Sequence, residues 1–404
     1  MSGEKHAFEP KIVAYVCNWC TYLGADLAGT NRLEYPPNVR IIRLPCTGRI
    51  DFNLIVKGFE IGADAVLVSG CHPGDCHYTA GNYHARRRWM LFRPLLETLG
   101  FDMRRIHFTW ISAAEGKKFQ QVISEITEST RALGPADYLQ PVDGAQAPAW
   151  SPPPPASPPA SDKSAAVREA AAQLLASGAV QAVIGYGETG APAFAFTPEE
   201  AARLCFNERA ALNLAVYLTR KEVRALGRVG VVCTPATSRA LNVLETEAQV
   251  DREHIVEIPV EQPGGPPDFS ALDSFMQLSP GERMAWWMRE LDRCVKCYAC
   301  RAVCPMCYCE RCIAEKNRPQ EISPSATIEG NFAWHIARAF HQAGRCVGCG
   351  ECTRACPAGI SLNLLNAAVA RAALEQFNYR AGAQRGAETL IGHYSLQDKE
   401  DFIR

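Results

Sequence analysis

The sequence has no excess of charge of either sign and no apolar run long enough to cross a membrane. Its 42 basic and 43 acidic residues give a formal net charge of −1, so there is no reason to expect a nucleic-acid or anionic-membrane partner. The longest uncharged apolar stretch, residues 170–187, contains two Gln, one Ser and three Gly, which predicts helix, turn and strand rather than a membrane span. The first ten residues, MSGEKHAFEP, lack the apolar segment of a signal peptide, and we expect a cytoplasmic protein.

Cysteine, in contrast, is abundant. The 404 residues include 18 cysteines, but disulfide frameworks belong to small secreted domains, and neither description fits this chain. Metal binding is the remaining common reason for so many thiols. Five cysteines lie in residues 17–76, two in 77–293 and eleven in 294–356. We therefore expect metal sites in two separate parts of the chain.

A proline-rich segment, residues 144–164, divides the chain. Seven of its 21 residues are Pro and most of the others are Ala, Ser or Gly, which predicts an extended linker with no packed structure. The alternative is an ordered surface loop. The predicted divisions are residues 1–143, the linker 144–164, a second domain at 165–268, a cysteine-rich module at 269–380 and a tail at 381–404.

Short apolar runs alternate with helical patterns before the linker. This order predicts a flavodoxin-like, doubly wound parallel sheet, hence an α/β domain. A second α/β domain is predicted after the linker, followed by a helical segment at 269–293 that leads into the cysteines. The predicted strands are residues 12–16, 39–44, 65–69, 106–110, 182–186 and 229–232, and the predicted helices are 52–61, 83–99, 115–133, 165–176, 199–204, 208–219 and 238–247.

The C-terminal cysteines form two complete runs of the pattern C-x-x-C-x-x-C-x-x-x-C-P, beginning at Cys294 and Cys346. This is the spacing of bacterial ferredoxins, in which the fourth cysteine of each run binds the cluster of the other run. A dicluster ferredoxin-like module with two 4Fe–4S clusters is therefore predicted, the alternative being a pair of zinc sites. The predicted ligand sets are Cys294, Cys297, Cys300 and Cys356 for one cluster, and Cys346, Cys349, Cys352 and Cys304 for the other.

Three further cysteines, Cys307, Cys309 and Cys312, lie in the long gap between the two runs. They are one short of a complete ligand set, which Cys205 or Cys233 could complete only if the middle domain folds back onto this module. We expect ordinary thiols here, and an additional metal centre is the alternative.

The N-terminal cysteines follow the predicted strands. Cys17, Cys46 and Cys71 come after the first, second and third strands, and Cys20 and Cys76 lie in the loops that follow. Since open α/β sheets bind their ligands at the carboxyl ends of the strands, the five thiols should meet in one crevice. Four of them suffice for a 2Fe–2S cluster, with one left over. The alternative is a redox-active dithiol formed by Cys17 and Cys20.

Two histidines and a basic run accompany these thiols. His72 and His77 stand beside cysteines in the segment CHPGDCH, where they could donate hydrogen bonds to sulfur or serve as ligands. The residues at 86–88 are all arginine and lie on the next predicted helix. We expect them to form a solvated face, the alternative being a docking site for an acidic partner.

Residues 11–134, with the motifs CNWCTY, LPCTGR, GCHPGDCHY, NYHARRR and AAEGKKF, closely resemble the delta subunit of methyl-viologen-reducing hydrogenase. That family carries electrons on a 2Fe–2S cluster into the flavoprotein subunit of heterodisulfide reductase. The resemblance implies that four of the five N-terminal cysteines bind such a cluster and that a flavoprotein of this kind is a partner.

The remainder of the chain is similar to the beta subunits of formate dehydrogenases and deazaflavin-reducing hydrogenases, which pair an α/β domain with two 4Fe–4S clusters. Where that family has a Cys-Asp-x-Arg-Ala element, this chain reads Ala236-Thr-Ser-Arg239-Ala240. The missing Cys and Asp weaken the case for flavin or deazaflavin chemistry in the middle domain.

Taken together, these features predict an iron–sulfur electron-transfer subunit. Its expected partners are a hydrogenase or formate-dehydrogenase-type subunit on one side and a heterodisulfide-reductase-like flavoprotein on the other. One alternative is an enzyme whose middle domain uses flavin or deazaflavin itself, and another is a zinc-stabilised scaffold. We find no nucleophile–base pair and no phosphate-binding loop in the sequence.

Overall fold

Four parallel strands build the N-terminal sheet in the computed structural model, which describes residues 8–136, 138, 147–152, 162–260, 265–316, 318–401 and 403. The strand order is β2-β1-β3-β4 and every neighbouring pair is parallel. This order is the flavodoxin-like arrangement, so the predicted doubly wound sheet is confirmed. The strands are β1 (Ile12–Cys17), β2 (Val39–Leu44), β3 (Ala65–Gly70) and β4 (Ile106–Trp110), each within one residue of its prediction.

Helices cover both faces of this sheet: α1 (Thr21–Thr30), α2 (Asn53–Glu60), α3 (Gly81–Leu99) and α4 (Gly116–Leu133). Ile12 and Ala14 pack with α1 and α4, whereas Val13 and Tyr15 pack with α2 and α3. Burial on both faces explains why the central strands β1 and β3 are almost wholly apolar, whereas the edge strand β2 contains Arg40 and Arg43 and is largely exposed. Within the described part of the chain, no helix is both long and apolar enough to cross a membrane.

The second α/β domain is also confirmed, with a sheet of order β6-β5-β7-β8 in which only β6 runs antiparallel. Its two outer strands were not predicted, and β6 contains a Pro, which an edge strand tolerates. The helix predicted over 208–219 shortens to α6, and a 3-10 turn replaces the one predicted over 199–204. The elements are β5 (Ala182–Tyr186), β6 (Pro192–Ala195), β7 (Val229–Cys233), β8 (Ile255–Pro259), α5 (Ser164–Ala176), α6 (Ala215–Leu218), α7 (Lys221–Arg224) and α8 (Pro235–Thr246).

The C-terminal module is helical and carries both cysteine runs. The segment predicted as one helix over 269–293 is divided in two, because Ser279 and Glu282 form a capping box that begins a new helix at Pro280. Two short helices each hold the third cysteine of one run. The helices are α9 (Ser270–Met276), α10 (Pro280–Asp292), α11 (Ala299–Ala302), α12 (Ile328–His341), α13 (Glu351–Arg354) and α14 (Asn363–Phe377).

The N-terminal domain and the C-terminal module share one hydrophobic core, although the predicted linker separates them in sequence. The Trp287 indole N–H on α10 donates to the carbonyl oxygen of Thr98 on α3 at 3.1 Å. Phe52 and Phe340 meet edge to face with ring centroids 5.8 Å apart. Because aromatic packing of this kind leaves little freedom of movement, the two parts hold a fixed relation to each other.

The predicted linker is packed where the structure describes it. Of residues 144–164, those at 144–146 and 153–161 lie outside the described residues. The Trp150 ring lies edge to face with Phe275 and Trp286, at 4.8 and 5.3 Å between centroids, and the Trp286 indole N–H donates to the Trp150 carbonyl at 2.9 Å. The expectation of no packed structure is therefore wrong at Trp150, whose large apolar ring packs against two aromatic side chains.

The C-terminal tail lies on the N-terminal domain. Arg86 pairs with Glu400, and Arg87 donates two hydrogen bonds to the Asp398 carboxylate at 2.7 and 2.8 Å. Both arginines are buried. The expectation of a solvated arginine face is therefore wrong for these two residues, since the chain supplies its own acidic partners from more than 300 residues away.

We expect Asp398→Ala to release the tail. The substitution leaves the buried Arg87 guanidinium without its carboxylate, and breaking a buried ion pair costs about 3–5 kcal/mol. Hydrogen exchange should accelerate at residues 390–401, and the thermal midpoint should fall. Glu388→Ala is the matched control, because that side chain is 75% exposed on the same tail. Unchanged protection of the tail in Asp398→Ala would contradict this account.

Candidate iron-sulfur centres

All five N-terminal cysteines come together at the carboxyl edge of the first sheet. Cys17 ends β1, Cys46 lies two residues beyond β2, and Cys71 directly follows β3. The Sγ atoms of Cys17 and Cys71 are 3.6 Å apart, and those of Cys46 and Cys76 are 3.8 Å apart. Cys46 also contacts Cys17, and Cys71 contacts Cys20. Successive contacts thus link the thiols in the order Cys76, Cys46, Cys17, Cys71 and Cys20, and we call this connected group the row.

Crowding in this row perturbs the thiols. Hydrogen bonds with Cys46 and Cys71 lower the pKa of Cys17. The same bonds, and then burial, raise the pKa of Cys46 and Cys71. Closely spaced buried thiols cannot all ionise unless a cation neutralises them. Iron would do so, since metal binding displaces thiol protons, and the donor set therefore fits a cluster.

The backbone approaches the sulfurs of the row closely. The Gly48 N–H donates to Cys46 Sγ at 3.4 Å, a bond that stabilises a thiolate. A Cβ on Gly81 would overlap Cys46 Sγ and lie 3.3 Å from Cys76 Sγ. The Asn82 amide donates to the carbonyl oxygens of Cys71 and His72 at 3.1 and 2.7 Å. The beginning of α3 thereby closes the site and fixes the loop after β3.

The two histidines near the row have other partners. His72 Nε2 lies 2.7 Å from a carboxylate oxygen of Glu115. The His77 ring stacks on the exposed Trp19 indole with centroids 3.7 Å apart. Burial opposes ionisation of Glu115, but hydrogen bonds from the Ser112 N–H and from His72 outweigh it and lower its pKa to about 2. Both rings therefore help to position the loops that carry the cysteines.

The first predicted C-terminal ligand set draws on both runs, as the ferredoxin pattern requires. Burial raises the pKa of Cys294, and the neighbouring thiols of Cys356 and Cys297 raise it further. Burial raises the pKa of Cys300 to about 11, and Cys294 and Cys356 are again among its neighbours. The structure thus places Cys356, the last cysteine of the second run, with the first three cysteines of the first run.

The second predicted set surrounds a cavity of about 190 Å³ that all four of its cysteines line. Burial, followed by the neighbouring thiols of Cys352 and Cys304, raises the pKa of Cys346 to about 12. Cys349 is likewise affected by burial first and then by Cys304. Four soft donors around one enclosed space suit a cluster. The crossed arrangement of the two runs is therefore present in the fold.

Both cysteine loops need left-handed backbone at the same two places. The second run has Gly348 and Gly350 there, with φ of 69° and 76°, whereas the first run has Lys296 and Tyr298, with φ of 51° and 58°. A left-handed residue other than glycine costs roughly 1–2 kcal/mol. The Lys296 ammonium donates to the Ser323 carbonyl, and the Tyr298 ring packs on Trp334. These contacts offset the strain of the first loop.

The three cysteines in the gap between the two runs have different surroundings. Cys307 is close to Cys304 and accepts a hydrogen bond from the Gln342 amide at 3.3 Å, whereas Cys309 is exposed and Cys312 lies near Tyr298. In the part of the chain that the structure describes, no group of three or more His, Cys, Asp and Glu side chains is arranged to hold a single metal ion. In a 4Fe–4S cluster each cysteine binds a different iron, so its four cysteines need not surround a single ion.

The two cysteines of the middle domain lie apart from this gap. Cys205 contacts Arg168, whose guanidinium lies 3.4 Å from its sulfur. Cys233 is buried at the end of β7 beside Glu257. Neither is placed with Cys307, Cys309 and Cys312, so the described structure offers no complete set of ligands for an additional centre there.

One functional feature was not predicted from the sequence. Four buried polar residues occupy one face of α12 and its C-terminal cap: Asn331, His335, Arg338 and Gln342. Their spacing of four, three and four residues in an otherwise apolar helix is the signal that reveals a polar stripe. Only the fold shows that the stripe runs between the two C-terminal cysteine sets.

Comparison with known families gives two matches that follow these sites. Residues 12–134 match the family described as the methyl-viologen-reducing hydrogenase delta subunit. Residues 290–360 match the 4Fe-4S dicluster domain. Both resemblances found in the cysteine motifs are thereby confirmed. Residues 135–289 lie outside both matched ranges, and the resemblance of the middle domain to formate dehydrogenase beta subunits stays a prediction.

Similar curated proteins align with the N-terminal domain. The iron-sulfur subunit of the vhc F420-non-reducing hydrogenase from Methanococcus voltae is 53% identical over 128 residues, which are 32% of this chain and 89% of that protein. The iron-sulfur subunit of the F420-non-reducing hydrogenase from Archaeoglobus profundus is 50% identical over 128 residues, 32% of this chain and 93% of that protein. One subunit of the ferredoxin:CoB-CoM heterodisulfide reductase from Methanosarcina mazei is 41% identical over 126 residues, 31% of this chain but only 16% of that protein.

We expect Gly81→Ala to remove the N-terminal cluster. The new Cβ would overlap Cys46 Sγ, whereas alanine itself favours a helix over glycine by about 1 kcal/mol. Iron and acid-labile sulfide per chain should fall by one cluster while circular dichroism stays unchanged. Gly29→Ala is the control, since a Cβ there meets nothing within 4 Å. Full iron content in Gly81→Ala would show that the sulfur of Cys46 is not held at this position.

Proposed function

The chain belongs, through its N-terminal domain, to the family of methyl-viologen-reducing hydrogenase delta subunits, and on that premise we propose that it is an electron-transfer subunit of a larger complex. It relays electrons between a hydrogenase, a formate dehydrogenase or a similar oxidoreductase and a heterodisulfide-reductase-like flavoprotein. The observation that carries this proposal is the gathering of three cysteine groups on two domains that share one core. Each cluster would accept and release a single electron.

The N-terminal row holds a 2Fe–2S cluster in this proposal. Cys17, Cys46 and Cys71 form the middle of the row and are rigidly directed by the ends of their strands. The fourth ligand comes from one end of the row, Cys20 or Cys76. Cys76 is buried whereas Cys20 is partly exposed, which favours Cys76.

The C-terminal module holds two 4Fe–4S clusters, each with three ligands from one run and the fourth from the other. The enclosed cavity beside Cys304 and the neighbouring positions of Cys294 and Cys356 support this assignment. Eight cysteines in two crossed sets also account for the length of both runs, which a pair of zinc sites does not require.

The flavoprotein partner is assigned to the N-terminal side of the chain. A segment similar to residues of this domain forms part of one much longer subunit of the Methanosarcina mazei heterodisulfide reductase. A domain that is covalently joined to a partner in one protein is a natural docking domain for it in another. The shared core of α3, α10 and α12 supports a direct relay, because it keeps the cysteine groups at constant separations.

We expect Cys349→Ser to remove one of the two 4Fe–4S signals in electron paramagnetic resonance of the reduced protein. The 2Fe–2S signal should remain, since the proposed ligand sets do not overlap. Cys309→Ser, which alters an exposed cysteine of the same module, should retain every signal. Iron content in Cys349→Ser equal to that of the unmodified protein would contradict the C-terminal assignment.

A second experiment follows the electrons. Cys71→Ser should abolish reduction of the flavoprotein partner, measured as flavin bleaching after a reduced donor is added, while the 4Fe–4S clusters still become reduced. Cys205→Ser is the control, since that residue lies in the middle domain. Undiminished bleaching in Cys71→Ser would contradict a relay through the N-terminal row. Flavin released from this chain on denaturation would instead favour an enzyme whose middle domain uses flavin.

A further inference from the structure

The polar stripe of α12 is almost completely buried, which is unusual for polar and charged side chains. Asn331, His335, Arg338 and Gln342 are only 0, 1, 3 and 3% exposed, respectively. Burying a polar group without a hydrogen-bond partner costs on the order of several kcal/mol of stability. Buried polar side chains are therefore expected to have partners. The partners of this stripe are therefore informative about its role.

The first half of the stripe serves the loop of Cys294. The Asn331 amide donates to the carbonyl oxygens of Leu291 and Cys294, both at 2.9 Å. His335 Nε2 lies 3.3 Å from Cys294 Sγ. A neutral imidazole with its proton on Nε2 would donate to this sulfur. This half of the helix thus holds the loop in place and directs an N–H at one sulfur of the first set.

Arg338 stands between the two cysteine sets. Its guanidinium donates to the Asn366 amide oxygen at 3.2 Å and to the Leu362 carbonyl at 3.4 Å, and its Nε has no hydrogen-bond partner in the described structure. No carboxylate of the described residues pairs with it. The thiols that act on its charge include Cys300 and Cys352, which belong to different sets. A buried cation of this kind needs negative charge nearby.

Gln342 completes the stripe at the second set. Its Nε2 lies 3.3 Å from Cys307 Sγ, and its Oε1 lies 3.9 Å from Cys304 Sγ. In the structure the N–H group thus faces Cys307, and the Cys304 thiol faces the amide oxygen. A thiolate at Cys304, as in a cluster, would instead favour the amide rotated by half a turn, with its N–H group toward Cys304 and its oxygen toward the Cys307 thiol. In that orientation a Cys304 thiolate accepts a hydrogen bond while Cys307 donates one, and both sulfurs are satisfied.

We propose that α12 sets the reduction potentials of the two C-terminal clusters, with Arg338 acting on both, His335 on the first and Gln342 on the second. The inference rests on the function proposed above, which supplies the clusters. Reduction adds one electron to a cluster that already carries four thiolates, so a buried cation between the clusters stabilises both reduced forms. Hydrogen bonds to the sulfurs act in the same direction. Arg338 is thus a positioning residue that acts on both clusters through its charge.

The Arg338 cation also reduces the electrostatic repulsion between two adjacent reduced clusters. An electron on one cluster repels an electron on the other, and the repulsion is strong in a buried, weakly screened interior. Arg338 lies where it offsets this repulsion for either cluster. The two clusters can then both be reduced within a narrower range of potential, which suits a relay that passes electrons between them.

The test is a redox titration of the full chain in which electron paramagnetic resonance monitors each cluster. Iron is quantified in every variant. Arg338→Gln should lower the equilibrium constant for one-electron reduction at least tenfold at both 4Fe–4S clusters, equivalent to about 59 mV each. Arg338→Lys keeps the charge and should restore most of this loss. Arg371→Gln, on the same module but paired with Asp273 at the surface, should leave both potentials unchanged.

Two variants that should each affect a single cluster, which we call the selective variants, supply the second readout. His335→Leu should lower the potential of the first cluster alone, and Gln342→Leu that of the second cluster alone. Unshifted potentials in an Arg338→Gln protein that retains both clusters would overturn the inference and leave the proposed function intact. Absence of 4Fe–4S clusters from the unmodified protein would instead overturn the proposed function. If Arg338→Gln loses its iron, the selective variants decide: separate shifts support the inference, and equal or absent shifts overturn it.

Discussion

Bringing cysteine sulfurs from distant segments to one place is the constraint on which the rest of this structure depends. In the N-terminal domain, parallel strands solve the problem, because their carboxyl ends meet at one edge and direct Cys17, Cys46 and Cys71 toward each other. In the C-terminal module, the last cysteine of each run lies beside the cysteines of the other run. In both places the backbone must approach sulfur closely, and glycine or strained left-handed residues make this possible.

The shared core extends this constraint from single sites to the whole chain. Helix α3 begins at Gly81, beside the N-terminal thiols, and its other end packs on α10, which leads directly to Cys294. Two packed helices therefore connect two cysteine groups that lie more than 200 residues apart in sequence. Trp150 and the tail residue Asp398 reinforce the arrangement from two other directions. Such rigidity is useful for electron transfer, in which the distance between carriers must not vary.

Local patterns were sufficient to predict much of this protein. The spacing of each C-terminal run describes a single loop and short helix, so three cysteines of each predicted ligand set could be read from neighbouring residues, and the ferredoxin pattern supplied the fourth from the other run. The central strands β1 and β3 of the first sheet are buried on both faces and were found to within one residue. The convergence of the five N-terminal cysteines followed from one topological rule applied to those strands. In the second sheet the same patterns failed for β6 and β8, which lie at the edges and are less buried than β5 and β7.

The sequence by itself determined the kinds of sites and the fold class, because spacing and periodicity are properties of residues close together in the chain. Only the tertiary structure decided how the sites are arranged and what surrounds them. Arg87 would be an ordinary solvated residue without the tail, 311 positions away, that buries it. The roles proposed for His335 and Arg338 depend on the position of α12 between the cysteine sets. The physical reason is that burial, and with it the strength of every charge and hydrogen bond, depends on which distant segments pack together.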